Sequence, residues 1–286
     1  MEKEFKHLYE DYAAGKIDRR GFFKKLVQMA GGTAAAAALL PVLENSYAGA
    51  QIIAEDDPKL DTEYVQYPGG TGDVRGYLAR PKGGEKFPAV IVIHENRGLQ
   101  PHIEDVTRRV AKEGFLAIGP DALSPLGSTP KDDPDKARTM LRELDGESTV
   151  KNYVAAVQYL KTHPQSTGKV GCMGFCWGGG ITNQVTVNAA DLTAAVPFYG
   201  SQPSGEDVPK IKAAMMLHYA GNDERINAGI PAFEEALKKA GIEYKIFMYE
   251  GTGHAFFNDT GSRYNEEAAK LAFKRTIAFF KEKLRS

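Results

Sequence analysis

Cysteine is almost absent. Only Cys172 and Cys176 occur in the 286-residue chain, close together in an apolar stretch that reads as a strand entering a turn. An extended chain rises about 3.3 Å per residue, which carries their Cα atoms beyond the roughly 4.4–6.8 Å a disulfide spans. A disulfide framework is excluded. With no CxxC pair and no HExxH, a metal site has no local support either. Charge of one sign is also lacking: 36 Lys and Arg face 37 Asp and Glu, a formal net charge of −1. Nothing in that balance attracts nucleic acid or a membrane surface. The mild apolar run from Gly31 to Leu43 is too short to span a bilayer. No G-x-G-x-x-G follows the first buried run, where "IHENRG" stands instead. That absence argues against a nucleotide-dependent oxidoreductase.

What is present is an ordinary globular composition, 42% hydrophobic and 26% charged. The first fifty residues differ from the rest. Arg19 and Arg20 precede Phe22, Phe23 and Lys24; the Gly31–Leu43 run follows, then Ala48-Gly49-Ala50. This order resembles a twin-arginine export signal with a small-x-small cleavage site after Ala50. It implies passage to the periplasm. The alternative is an amphipathic helical extension that stays on a cytoplasmic protein. Residues 55–286 contain no repeat or low-complexity linker and read as one domain.

Within that domain, strands and helices alternate. "TEYVQYPG" and "VRGYLARP" read as two strands joined by a tight turn. "PAVIVI", "FLAIGPD", "KVGCMGF", "TAAVPFYG", "AAMMLHYAG" and "EYKIFMYEG" are further strands, several of them apolar throughout. Helical spacing lies between them, as in "PHIEDVTRRVAKEG", "STVKNYVAAVQYLKTHP" and the C-terminal stretch from about Asn265 to Leu284. "SPLGSTPKDDPDK" and "SQPSGEDVPK" read as loops. The pattern predicts an α/β fold, a mostly parallel sheet with helices on both faces. Ligands bind such sheets at the carboxyl ends of the strands.

Four polar groups fall on that rim: Glu95 after "AVIVIH", Cys176 after "KVGCMGF", Asp223 after "AAMMLHYAGN" and His254 after "YKIFMYEGTG". A thiol, an imidazole and an orienting acid are the parts of a nucleophilic triad. In "GFCWG", Gly174 and Gly178 flank Cys176 symmetrically. A sharp strand-to-helix turn crowds any Cβ at those positions, and glycine removes the clash. This is a G-x-S-x-G nucleophile elbow with cysteine in place of serine. The following helix N-terminus should favour the thiolate and lower the thiol pKa below its usual ~8.5. Cys172, in mid-strand, reads as a buried small hydrophobe. Asp223 read alone is first a helix-capping turn residue. Among the other histidines, His218 reads as a core residue, His94 as a neighbour of the site, and His7, His102 and His163 as helix or surface-loop residues.

Taken together, "IHENRG", "GFCWGG", "AGNDERI" and "GTGHAFFN" resemble the dienelactone hydrolase family of the α/β-hydrolase superfamily, from about residue 60 onward. The resemblance implies the α/β-hydrolase fold and a Cys176–His254–Asp223 triad. It also implies an oxyanion hole from the backbone N–H groups of Trp177 and Asn96, and a Glu95 that contacts the thiol and helps control its ionisation. The implied reaction is hydrolysis of a carboxylic ester, a dienelactone-like enol-lactone above all, through an acyl-thioester, with no metal or organic cofactor. The implied partner is a small-molecule ester or lactone; oligomeric state cannot be read. One position departs from the family pattern. Family members acting on dienelactone carry an arginine four positions after the triad histidine, and here that position is Asn258. Arg97, Arg225 and Arg263 are the candidate replacements for binding a substrate carboxylate. The alternatives are a broad-range carboxylesterase or thioesterase, and a non-catalytic binding protein on the same scaffold.

Overall fold

In the computed structural model, residues 2–13, 17–39, 52–84 and 86–285 are described. Eight strands form one sheet in the order β1-β2-β4-β3-β5-β6-β7-β8. They are β1 (Leu60–Pro68), β2 (Asp73–Pro81), β3 (Phe87–Ile93), β4 (Leu116–Pro120), β5 (Ser166–Phe175), β6 (Ala194–Phe198), β7 (Ala214–Asn222) and β8 (Tyr244–Gly253). β2 runs antiparallel to both β1 and β4. Every pairing from β4 through β3, β5, β6 and β7 to β8 is parallel.

Side chains alternate across a strand with a period of two, and this divides the core into two layers. Val90 and Val92 of β3, Met173 and Phe175 of β5, and Val196 and Phe198 of β6 face one way. There they meet α4 (Pro101–Lys112) and α10 (Glu266–Leu284). Ala89, Ile91 and Ile93 of β3, and Cys172 of β5, face α6 (Gly146–Thr162) and α7 (Trp177–Asn188). Met215, Leu217 and Tyr219 of β7 pack under α9 (Ile230–Ala240). Both faces are covered, which is why the central strands read as continuous apolar runs.

The helices start and stop where local chemistry directs. Pro101 opens α4, where its missing N–H costs nothing. Asp145 caps α6 by accepting from the Ser148 N–H, and Asn265 caps α10 by accepting from that of Ala268. One helix lies inside a segment expected to be loop. α5 (Pro134–Glu143) begins within "SPLGSTPKDDPDK", with Asp133 accepting from the Lys136 N–H. Its Ala137 and Leu141 are buried one turn apart. That stripe is short, and the charged residues around it masked the helical period.

The N-terminal residues form α1 (Glu2–Ala13), α2 (Arg19–Ala30) and a further short helix, α3 (33–39). Asp18 caps α2, and Gly31 ends it in the left-handed region at φ 78°. Arg19 and Arg20 therefore open a helix. Leu8, Phe22, Leu26 and Ala36 form a small core separate from the sheet layers. The end of the apolar run and Ala48–Ala50 lie outside the described residues. Among the described residues, no helix is long and apolar enough to cross a membrane.

Candidate active site

The turn between β5 and α7 lifts Cys176 above the sheet. Its backbone takes φ 56° and ψ −115°, a region that costs a non-glycine residue of order 1–3 kcal/mol. The surrounding contacts enforce it. A Cβ on Gly174 would lie 2.3 Å from the Gly178 carbonyl oxygen, and one on Gly178 would lie 2.3 Å from that of His94. The Cys176 N–H donates to the Phe198 carbonyl at 3.1 Å, and its own carbonyl accepts from the Gly180 N–H at 3.2 Å. Glycine on both sides is thus a packing requirement: helix, turn and β3 approach backbone to backbone.

Asp223 follows β7 and His254 follows β8. The His254 Nδ1 donates to Asp223 Oδ2 at 2.5 Å, which leaves Nε2 free of that bond. Asp223 is 8% exposed, and its side chain caps no helix although it precedes α8 (Glu224–Asn227). The capping alternative is therefore set aside. The His254 ring lies beside that of Tyr199, with centroids 5.0 Å apart. No hydrogen bond joins the Cys176 sulfur to His254, although both line the same cleft.

That cleft has a volume of about 370 Å³ and is also lined by Glu95, Asn96, Arg97, Arg225 and Arg263. Of the site residues singled out from the sequence, all but Asp223 and Trp177 line it; Asp223 lies behind His254, to which it is bonded. Trp177 lines a second cavity of about 400 Å³ that shares Cys176 and Asn96 with the first. The Trp177 backbone N–H acts on the Cys176 sulfur to lower its pKa.

The thiol does not behave as the helix N-terminus alone suggests. Its pKa is pushed up to about 12, by burial first and by the Glu95 charge second. The Trp177 N–H, Arg225 and Arg263 pull the other way and are outweighed. The expectation of a depressed thiol pKa is corrected accordingly: desolvation of a thiolate exceeds the attraction of one helix end. At neutral pH the resting group is the thiol.

Residues 74–284 match the family model for the dienelactone hydrolase family. The chain belongs to that family. A relative from Saccharolobus solfataricus, provisionally named a carboxymethylenebutenolidase, is 31% identical over 254 residues, covering 76% of this chain and 97% of the relative. A provisionally named hydrolase fragment of Escherichia coli, YghX, is 50% identical over 113 residues, covering 38% of this chain and 96% of the fragment. The crystal structure of a provisionally assigned dienelactone hydrolase from Klebsiella pneumoniae subsp. pneumoniae superposes with a TM-score of 0.70. Its sequence identity is 27%, covering 78% of this chain and 99% of that one. The protein is accordingly a carboxylic ester hydrolase of the dienelactone hydrolase type.

Against that family background, Asn258 acquires a specific role. Its Nδ2 donates to Glu95 Oε2, while its Oδ1 accepts from the Thr260 N–H at 3.0 Å and from the Thr260 hydroxyl at 2.6 Å. The amide is fixed in orientation and committed to Glu95. The neighbouring Asp259 has Oδ1 2.8 Å from His102 Nδ1 and ion-pairs with Arg109, both residues on α4. His102 was expected on a helix or surface loop; it is on a helix, but it is 6% exposed and lies against the loop that carries Asn258. His94 is buried, and its Nδ1 lies 2.7 Å from the Glu95 carbonyl oxygen. Its Nε2 accepts from the Ala122 N–H at 3.2 Å. Burial lowers its pKa, and its neutral ring stacks on Trp177 at 5.2 Å. His218 is a core residue as expected, with Tyr249 at 2.9 Å and Thr276 at 3.1 Å from its two nitrogens. The sequence reading missed Arg138 and Arg142. Both lie on α5 and line the cavities around Cys176. The Asp133-Pro134 helix start was the available signal for them.

Proposed function

We propose that Cys176 is the nucleophile of a Cys176–His254–Asp223 triad that hydrolyses a small carboxylic ester or lactone, a dienelactone-like enol-lactone in the first instance. The observation that carries this reading is the shared cleft. A cysteine held at φ 56° on a glycine-bracketed turn opens into the same cavity as a histidine bonded to a buried aspartate at 2.5 Å.

The steps balance as follows. As the sulfur attacks the carbonyl carbon, its proton passes to His254 Nε2, because a thiol with so high a pKa is not ionised beforehand. The imidazolium is stabilised through Nδ1 by Asp223. The N–H groups of Trp177 and Asn96 receive the developing oxyanion. The C–O bond breaks, and the leaving oxygen takes the proton from Nε2. Water then gives a proton to Nε2 and its oxygen to the thioester carbon. The C–S bond breaks, and the thiol re-forms with that proton. Glu95, held by Asn258, disfavours a standing thiolate and so protects the sulfur between turnovers.

The test is to trap the acyl-enzyme. The protein quenched in acid during turnover of an activated ester should carry a mass increment equal to the acyl group on Cys176, and Cys176→Ala should not. Acylation at another residue, or full activity in Cys176→Ala, would overturn the reading. For residues 1–50 the reading is export by a twin-arginine route. A mature N-terminus at Gln51 in the natural host is the expected result; an intact Met1 end in the cytoplasm would reverse it.

A further inference from the structure

Two cavities meet at Cys176. The first contains His254, Arg97 and Arg263; the second contains Trp177, Leu141, Ile226 and Arg142. They share Asn96, Cys176, Arg138 and Arg225. The sulfur therefore stands at a junction, with room on both sides of a bound carbonyl carbon.

Positive charge is concentrated here. Five arginines line the two cavities, while Glu95 is the one acid that lines either of them. Glu95 is already engaged by Asn258. Arg138 meets Asp135 at 3.4 Å, an exposed contact, yet its buried Nε has no partner. Among the described residues, Arg142, Arg225 and Arg263 have no ion pair with an acid. The chain as a whole has a net charge of −1, so this excess is local to the site. Clustered guanidiniums repel one another, and their planar forks match carboxylates. One monoanion would leave most of Arg142, Arg225 and Arg263 unmatched.

The chemistry assigns the sides. The leaving oxygen must take its proton from His254, so the leaving group occupies the first cavity. The acyl chain then lies in the second, along Leu141 and Ile226. We infer that the substrate carries an anionic group on each side of the scissile ester: an acyl-chain carboxylate facing Arg142, and a second carboxylate on the leaving group facing Arg263. In chemical terms it is the half-ester of a dicarboxylic acid with an alcohol, enol or phenol that is itself an acid. This rests on the ester-hydrolase reading of the same site and adds the charge pattern to it.

The experiment uses four aryl esters of the same leaving-group type with the full chain. They are the butanoyl and succinyl esters of 4-hydroxybenzoate, and the same two of its methyl ester, with spontaneous hydrolysis subtracted. Each matched anion should raise kcat/KM about tenfold or more, the scale of a charge-assisted hydrogen bond, so the dianion should exceed the neutral ester by about a hundredfold. Added salt should narrow the gap. Arg142→Gln should reduce the preference for succinyl over butanoyl, and Arg263→Gln the preference for the free acid over the methyl ester, each without the other. Equal rates for the neutral and dianionic esters, or an identical loss in both preferences for both variants, would overturn the charge pattern alone. Failure to hydrolyse any of the four, the neutral ester included, would overturn the hydrolase reading and this inference with it.

Discussion

The middle of the sheet and its carboxyl-end rim carry the same two chemical groups with opposite consequences. Cys172 and His218 sit within β5 and β7; Cys176 and His254 sit just past β5 and β8. Both thiols are pushed up to about 12, chiefly by burial. What separates them is therefore not ionisation at rest. Cys172 is enclosed between the sheet and α7, with the Thr182 hydroxyl its polar neighbour. Cys176 opens into a cleft that it shares with a histidine bonded through only one of its nitrogens. The histidines differ in the same way. His218 spends both nitrogens on Tyr249 and Thr276, whereas His254 spends one on Asp223. Reactivity follows from what remains unsatisfied and reachable, not from residue type.

The largest expected break in this comparison is catalytic. Cys176→Ala should lower kcat/KM on the order of 10³-fold or more. Cys172→Ala should leave ester hydrolysis intact and lower stability by about 1 kcal/mol in denaturant titration. Equal activity losses in the two variants would erase the distinction between rim and interior.

Next in size is an acid effect confined to the interior. Burial holds the His218 pKa down to about 3, against 6.5 for the free group. The folded protein keeps this histidine neutral while the unfolded chain protonates it. Its contribution to stability is therefore complete above pH 6.5 and is lost as pH falls toward 3. The loss should reach roughly 3 kcal/mol by about pH 4. His218→Gln should flatten that part of the stability–pH curve even if it lowers the plateau. An unchanged acid limb would assign the lability to another group.

A smaller effect separates the causes at the rim. Glu95 raises the Cys176 pKa, so Glu95→Gln should lower it and speed alkylation by iodoacetamide about tenfold at fixed mildly alkaline pH. Cys172 should remain unlabelled in the folded protein. The smallest expected effect has the reverse sign. Arg225 pulls the thiol pKa down, so Arg225→Gln should slow the same alkylation a few-fold, by about half a unit of pKa. Faster labelling in that variant would mean that access, not charge, controls the sulfur.

Much of the site was legible before any coordinates because it depends on local rules. Apolar runs covered on both faces identify parallel strands, and their carboxyl ends identify the rim, so Glu95, Cys176, Asp223 and His254 could be placed on one edge. The glycines around Cys176 encode a backbone approach that no other residue tolerates. Arg138 and Arg142 were not legible, because α5 buries only a two-residue stripe and its chain is rich in charge. Asn258 was visible as a departure, but not as the partner of Glu95, which lies 163 positions earlier in the chain.

The sequence by itself determined the order of strands and helices, the two-layer division of the core, and the sharp turn at Cys176, since each follows from side-chain periodicity or the steric needs of a few adjacent residues. Tertiary structure alone decided the ionisation of the thiol, the tethering of Glu95, and the gathering of arginines from four separate segments around one sulfur. Those properties depend on burial and on charges acting through space, and neither is a function of distance along the chain.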